Sequence, residues 1–536
     1  MLLLPIGSVT LLLWFMASGL NRLVLSQGLT QPGSITVTQT DDSGPGSLRA
    51  AILEANSQPG TDHISIVVTG TLQLLSPLPE ITDEVAISGP GASLFRIDGG
   101  STHQLLKFAS TTLTVTGVTL QRGANLVTGG RGGAVQGVGT LYLGQTHILS
   151  NSAQSHGGAL HVLGTLTLDQ VVVRNNQSQT ATGGAAFVSG TTIVTGSQFF
   201  ENHAQQHGGV IYSLGTMSIA NSDFGDNYCA NSGCNGGALF GFPETTVDHV
   251  TMTDNVAGYN GGAANLLGVL TMTNSLLQGN RTLNNNGGAL FGQDYAYISH
   301  TQFLGNAAQY QGGGMYMLGD LTMIDSEIAG NDSGHYGGGL IVYGGLTVSR
   351  TAFIRNEGLR GGGLYQQLTA DGIATNNLFL DNGAASGEGH ALYLGAGGQV
   401  ELAHLTIAST SGRPGAAIAV VSGTVQLRNS IVTSHAIGLS NTLGSVSEDY
   451  NLFYDNSVNS AGSVATGGHS LVGDPQFQDL GADNFHLQTG SPAIDAALDL
   501  GLDTDLDGDP RPLLAGVDIG ADEANPITGL TFSYAP

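Results

Sequence analysis

A pair of glycines returns about every 25 residues through the middle of the chain, and this spacing constrains the fold more than any other feature. The pairs begin at residues 132, 157, 183, 208, 236, 261, 287, 312, 337 and 361, in steps of 25, 26, 25, 28, 25, 26, 25, 25 and 24. A second column runs nearly in step with the first. An asparagine closes a short apolar run at Asn151, Asn175, Asn202, Asn227, Asn255, Asn280, Asn306, Asn331, Asn356 and Asn382. Two columns in one register mark a repeat array, in which each unit buries its apolar face against its neighbours.

Inside each unit the runs are short, alternating and rich in Thr, Val, Leu, Ile and Phe, with Gly, Asn, Ser and Asp between them, which is the pattern of strands and turns. Inward columns are expected at Val135, Leu160, Ala186 and their counterparts, and three residues before each asparagine at Ile148, Val172, Phe199 and onward. Three short strands per unit, each stacked on its equivalent, predict an all-β, right-handed parallel β-helix, because parallel connections take that hand almost without exception. At about 4.8 Å between coils the visible units make a rod of about 50 to 70 Å. The asparagines are expected to form a side-chain ladder from coil to coil, and the glycines to supply positive φ or close backbone approach at a corner.

A solenoid leaves strand edges at both ends, so departures from the repeat should be covers. Ser47 to Asn56 has the apolar spacing of a short N-terminal helix with Ser47 as N-cap, and the tail predicts an irregular C-terminal cap. The expected divisions are 1–26, a cleaved export signal or an N-terminal anchor; 35–128, the N-terminal cap and first coils; 129–440, the repeats; 441–525, the C-terminal cap; and 526–536, a tail. No later apolar run is long enough to span a membrane. Cys229 and Cys234 fall in the one 28-residue step. Their spacing suits neither a zinc finger nor a redox CxxC; it suits a local disulfide in an oxidising compartment or two isolated thiols.

Composition narrows the partners. Asp and Glu outnumber Lys and Arg by 40 to 14 and the formal net charge is −26, so no basic stripe exists to track a phosphate backbone, and nucleic acid is excluded. The expected location is secreted or cell-surface.

Specific segments carry a resemblance. DDSGPGSLRAAILEAN, residues 41–56, resembles the GSLR/CSLREA-type opening of bacterial surface β-helix proteins, with Gly46 where the cysteine form carries Cys. The GGA and FxxN signatures, such as Gly236-Gly237-Ala238 and Phe303 to Asn306, resemble polymorphic outer membrane protein repeats. The segments YNLF (450–453), GDPQF (473–477), GSPAID (490–495) and DIGADE (518–523) are similar to the choice-of-anchor Q domain. The resemblance implies a pectin lyase-like β-helix displayed outside the cell. Nothing after Glu523 resembles a sorting motif or a membrane anchor.

Four groups of residues are candidates for chemistry. Glu201, Asp226 and Asp254 stand one residue before the asparagine column on successive coils, at a separation near that of a retaining glycosidase pair; solvated turn acids are the alternative. Phe187, Tyr212, Phe240, Phe291, Tyr316 and Tyr365 lie next to the inward column and face outward. They are either a platform for glycan rings or a self-stacked ladder that shields the sheet. Asp503, Asp505, Asp507 and Asp509, with Gly508 among them, open like a calcium loop, against a solvated acidic turn fixed by Arg511. Arg350, Arg355 and Arg360 with Glu357 form a further charged group suited to a uronate. No cofactor is required; calcium is the one ion implied.

Together these features predict a monomeric, non-catalytic exported β-helix protein that adheres to extracellular glycans or surface proteins through its lateral face. A polysaccharide lyase or glycoside hydrolase of the β-helix type is the alternative.

Overall fold

Residues one repeat apart lie one above another. Leu141, Leu166, Thr192, Met217, Thr245, Leu270, Ala296, Leu321 and Leu346 pair in unbroken parallel register. Val135, Leu160, Ala186, Ile211, Leu239 and Ala264 do the same on a second face. The computed structural model describes residues 34–229, 231–367, 370–395 and 397–524, and the chain is a right-handed parallel β-helix of about 17 turns. At about 4.8 Å per coil the rod is about 80 Å long. The segments 1–26 and 526–536 lie outside the described residues. Among the described residues no helix is long and apolar enough to cross a membrane.

The inward files are fully buried and form one continuous core. In the phenylalanine file, Phe199 stacks on Phe224 at 4.5 Å and Phe353 on Phe379 at 4.6 Å between ring centroids. One unit corrects the expected register. Val173, not Val172, pairs with Ile148 and Phe199, and Asn176, not Asn175, joins the asparagine file. A slip of one residue turns every side chain to the opposite face, so burying Val171 and Val173 commits Asn176 to the interior and leaves Asn175 at the corner.

The asparagine ladder is continuous from Asn151 to Asn382. The Asn227 backbone N–H and Nδ2 both donate to Asn255 Oδ1, at 3.1 and 2.9 Å. Asn255 Nδ2 donates in turn to Asn280 Oδ1 and to the Phe224 carbonyl, each at 2.9 Å. Each amide thus satisfies buried backbone groups that no ladder of strands reaches. Asn255→Ala strands the Asn227 N–H and the Phe224 carbonyl, and is expected to cost about 2–3 kcal/mol in chemical denaturation. A loss no larger than that of Gln278→Ala, an exposed strand position, would show that the ladder contributes nothing to stability.

The glycine pairs divide two tasks. Gly261 has φ +63°, where a side chain is strained, and a Cβ on Gly262 would meet the Gly288 carbonyl of the next coil. Cys229 and Cys234 are joined by a disulfide and pack with Ala204 in the longer step.

The N-terminal end is closed by α1 (Leu48–Ala55), whose N-cap Ser47 Oγ accepts from the Ala50 N–H at 3.2 Å. Leu48, Ala51, Ile52 and Ala55 form its buried side against the first coils. The C-terminal segment behaves differently. Solenoid pairing runs on to Leu471–Val472, and then an antiparallel hairpin, Phe477–Asp479 with Asn484–Leu487, begins a flap that folds back along the side of the rod. Phe485 packs on Leu378, Leu380 and Ala408, while Leu487, Ala493, Ile519 and Ala524 pack on Ile431 and Leu452. The flap therefore covers a lateral face, and Val472 at the last coil stays 78% exposed.

Candidate functional site

The acidic file occupies the corner just before the ladder. Glu201, Asp226 and Asp254 have φ of 55°, 53° and 54°, a conformation that the equivalent Gly279, Gly305 and Gly330 also adopt. The three carboxylates do not act alike. Glu201 is held in a fork by Arg174, with Nε to Oε2 at 3.0 Å and Nη2 to Oε1 at 2.8 Å. Those hydrogen bonds hold its carboxyl below the usual range and keep it from taking or giving a proton near neutrality.

Asp226 and Asp254 instead line a shallow trough of about 510 Å³, together with Tyr228, Val256, Gly279 and Arg281. Gly279 leaves the space into which Asp254 Oδ1 leans. Tyr228 is exposed and stacks on His203 at 5.2 Å. The trough therefore offers hydrogen-bond acceptors, a guanidinium and an aromatic edge on an open flank, without walls that exclude water.

The six aromatic residues form one file, as their register requires. His161, Phe187, Tyr212 and Phe240 stack in sequence at 5.0, 5.5 and 5.1 Å. Asn265 interrupts, Phe291 and Tyr316 stack at 5.1 Å, Ile341 interrupts again, and Tyr365 stacks on Tyr393 at 4.7 Å. The ring faces are thus used by neighbouring rings. Phe240, Phe291, Tyr316 and Tyr365 are buried, because a second rank flanks them: His207, Tyr336, Tyr343 and Arg360. Burial raises the hydroxyl pKa of Tyr316 and Tyr365. What this file presents to solvent is mostly ring edge.

The arginine group does not converge, which corrects the expected uronate grip. Arg350 pairs with Asp325 at 2.6 Å, Arg355 reaches Asp483 on the flap at 2.9 Å, and Arg360 pairs with Glu388. Each guanidinium already holds a carboxylate.

The acidic loop of the flap is also divided. Asp505 is buried; its Oδ1 accepts from the Asp507 and Asp509 N–H groups at 3.0 and 2.8 Å, and its Oδ2 from Glu523 N–H at 2.9 Å. The Asp503 carbonyl accepts from Arg511 N–H at 3.0 Å. Asp507 points elsewhere, to His486 Nε2 at 2.8 Å, with Asp522 Oδ1 3.8 Å from the same nitrogen. His486 carries no periodic or local motif that would have marked it, and Asp522 lies in the DIGADE segment without the spacing of a metal loop; only folding brings the two to Asp507. The interior of the flap is held by Arg511, which donates to Glu523 Oε1 at 2.6 Å and to the Asp518 and Gly520 carbonyls.

No family model and no curated protein matches the chain. Among solved structures it is similar to the A-module of the Azotobacter vinelandii mannuronan C-5 epimerase AlgE6. That likeness has 13% identity and a TM-score of 0.27, and covers 83% of this chain and 100% of that one. The A-module of AlgE4 from the same organism is similar at 15% identity and a TM-score of 0.24, over 82% of this chain and 100% of that one. Likenesses this remote carry no argument about activity.

Proposed function

We propose that the chain is an exported β-helix protein that works by contact, holding a stretch of extended neutral polysaccharide along the flank that carries Asp226, Tyr228, Asp254 and Arg281. The open trough is the observation on which this rests. Its carboxylates accept hydrogen bonds from sugar hydroxyls, Arg281 donates them, and Tyr228 offers an apolar edge. Its volume of about 510 Å³ falls in the range of ordinary ligand sites. Equivalent corners repeat every 4.8 Å or so along the rod, so a polymer can lie across several coils. A net charge of −26 opposes polyanions, which favours neutral glycans over uronans. The resemblance to polymorphic outer membrane protein repeats and to the choice-of-anchor Q domain supports a surface location.

A specific observation keeps a second reading, polysaccharide cleavage. Asp226 and Asp254 share the trough on adjacent coils, and the coil spacing is near the roughly 5–5.5 Å of a retaining carboxylate pair. A panel of neutral and acidic polysaccharides, assayed both for binding and for released ends, separates the two. Contact alone predicts binding without product, weakened about tenfold by Tyr228→Ala, which corresponds to about 1.4 kcal/mol. Product formation abolished by Asp226→Asn would establish cleavage instead, and a wild-type chain that binds nothing in the panel would overturn both.

A further inference from the structure

We propose that His486, Asp507 and Asp522 form a binding site for a divalent transition-metal cation of the zinc class, which clips the hairpin strand Asn484–Leu487 to the two loops that follow it. One nitrogen and two carboxylate oxygens from these residues lie within 4.8 Å of one another. Metal–ligand bonds of about 2.0–2.2 Å place tetrahedral ligands about 3.3 Å apart. The His486 Nε2 distances of 2.8 Å to Asp507 Oδ2 and 3.8 Å to Asp522 Oδ1 bracket that value, so an ion enters with small side-chain shifts.

Two independent features point to a cation. The first is the histidine tautomer. His486 Nδ1 lies 2.8 Å from Asn484 Oδ1, which accepts only, so Nδ1 carries the proton and donates it there. A ligating imidazole is oriented in this way, with its second nitrogen free to face the metal. Nε2 donates a proton to Asp507 Oδ2 at 2.8 Å, and the cation takes the place of that proton between the two carboxylates. The second feature is Asp522, whose side chain is 5% exposed and whose Oδ2 has no hydrogen-bond partner. A carboxylate oxygen buried without a donor is costly unless a cation or proton compensates it.

The surroundings agree. Asp505 adds a further negative charge, and Arg511 is committed to Glu523 and two carbonyls. His486 and Asp507 are 41% and 45% exposed, which leaves one side open for water to complete the shell. Imidazole with two carboxylates suits zinc and its neighbours, whereas calcium takes six to eight oxygens. The site shares only Asp507 with the alternating aspartates of residues 503–509, so a calcium loop and a zinc clip make different predictions.

The test uses the full chain, stripped with chelator, dialysed and titrated with Zn²⁺ or Ca²⁺ by calorimetry, with thermal unfolding followed in parallel. The expected result is one Zn²⁺ per chain at micromolar affinity or tighter, a rise of several degrees in Tm, and no matching response to Ca²⁺. Asp507→Asn and His486→Gln, both at exposed positions, should weaken Zn²⁺ uptake at least tenfold while leaving the circular dichroism spectrum unchanged. Asp522→Asn adds the buried ligand and is read the same way. A wild-type chain that takes up no Zn²⁺, or uptake unaltered in both Asp507→Asn and His486→Gln, would overturn the site. So would Ca²⁺ binding in preference to Zn²⁺. The polysaccharide trough is remote in sequence from these residues, and its binding assay is independent of this outcome.

Discussion

Acidification from pH 7 to pH 4 is expected to lower the unfolding temperature steeply, with the slope set by histidines locked neutral inside the rod. His161, His404 and His435 are buried, and desolvation by burial lowers their pKa values from 6.5 to about 4, about 3 and about 4. Above pH 6.5 the rings are neutral in both states and contribute no pH dependence. As pH falls below 6.5 the unfolded chain takes up protons that the folded chain refuses, so stability drops until the folded pKa values are reached. The loss is about 1.4 kcal/mol per pH unit for each histidine. Asp505, Asp518 and Glu523, whose pKa values burial raises, act in the opposite sense, since acid relieves their folded-state penalty. Their contribution lies toward the acid end and reduces the net fall.

His161 gives the sharpest check. It stacks on Phe187 at 5.0 Å, and neither of its ring nitrogens has a hydrogen-bond partner, so His161→Leu removes a titrating group without stranding another. Tm measured from pH 7 to pH 4 should fall less steeply in His161→Leu than in the wild type. Parallel curves would show that His161 is not neutral in the folded rod.

The second large effect is expected at the flap. Arg511→Met removes the guanidinium that faces Glu523, where both side chains are 1% exposed. Glu523 also accepts from the Asp518 and Leu513 N–H groups, but those dipoles do not replace a full charge. Breaking such a pair from one side costs about 3–5 kcal/mol. The flap is expected to open before the solenoid does, because its contacts to the rod are few: the apolar patches, the Arg355–Asp483 pair, Asn376 to the Thr504 carbonyl, Ala521 N–H to Thr406, and Asn429 to Leu498 and Gly520. Chymotrypsin should then cut at Phe477 and Phe485 far faster in Arg511→Met than in the wild type. Arg511→Met combined with Glu523→Leu should recover part of the loss, since the Glu523 charge that lost its partner is gone, while Asp505, Asp518 and Asp522 stay buried without the guanidinium and keep the recovery partial. Equal protection in the single variant and the wild type would mean that the flap is held by its apolar face only.

Much of this architecture was legible in the residue order. A solenoid repeats one environment at one spacing, so a column of like residues is also a column in space, and the glycine and inward files follow directly. The single misplaced unit, Val172 and Asn175 in place of Val173 and Asn176, arose because VVVRNN offers two registers. Only the burial of Val171 and Val173 decides between them. The aromatic file was legible as a column, but whether its edges are free depends on a second rank that flanks it. His207 and Arg360 stand one residue before a glycine pair, in a column that elsewhere carries Thr182, Asn235 and Gln311, so that column does not read as a cover.

The flap left a signal that alternation alone does not interpret. Early strands on that face leave their outward residues exposed or half-buried, as Gln198 and Phe200. From Leu378–Leu380 onward most outward positions are buried, among them Leu378, Leu380, Ala408, Ile431 and Leu452. An apolar outward face requires a cover, yet nothing in those strands says which segment supplies it.

The amino-acid sequence by itself determined the solenoid, its period, its ladder and its core, because every unit needs only its neighbour and the neighbour is a copy. Tertiary structure alone decided where residues 477–524 go and what they assemble. His486, Asp507 and Asp522 are single side chains in an aperiodic segment, and they meet only because the apolar flank of the rod pulls that segment back upon itself. A repeat carries its own instructions for contact, whereas a convergent cluster exists only in the folded geometry that creates it.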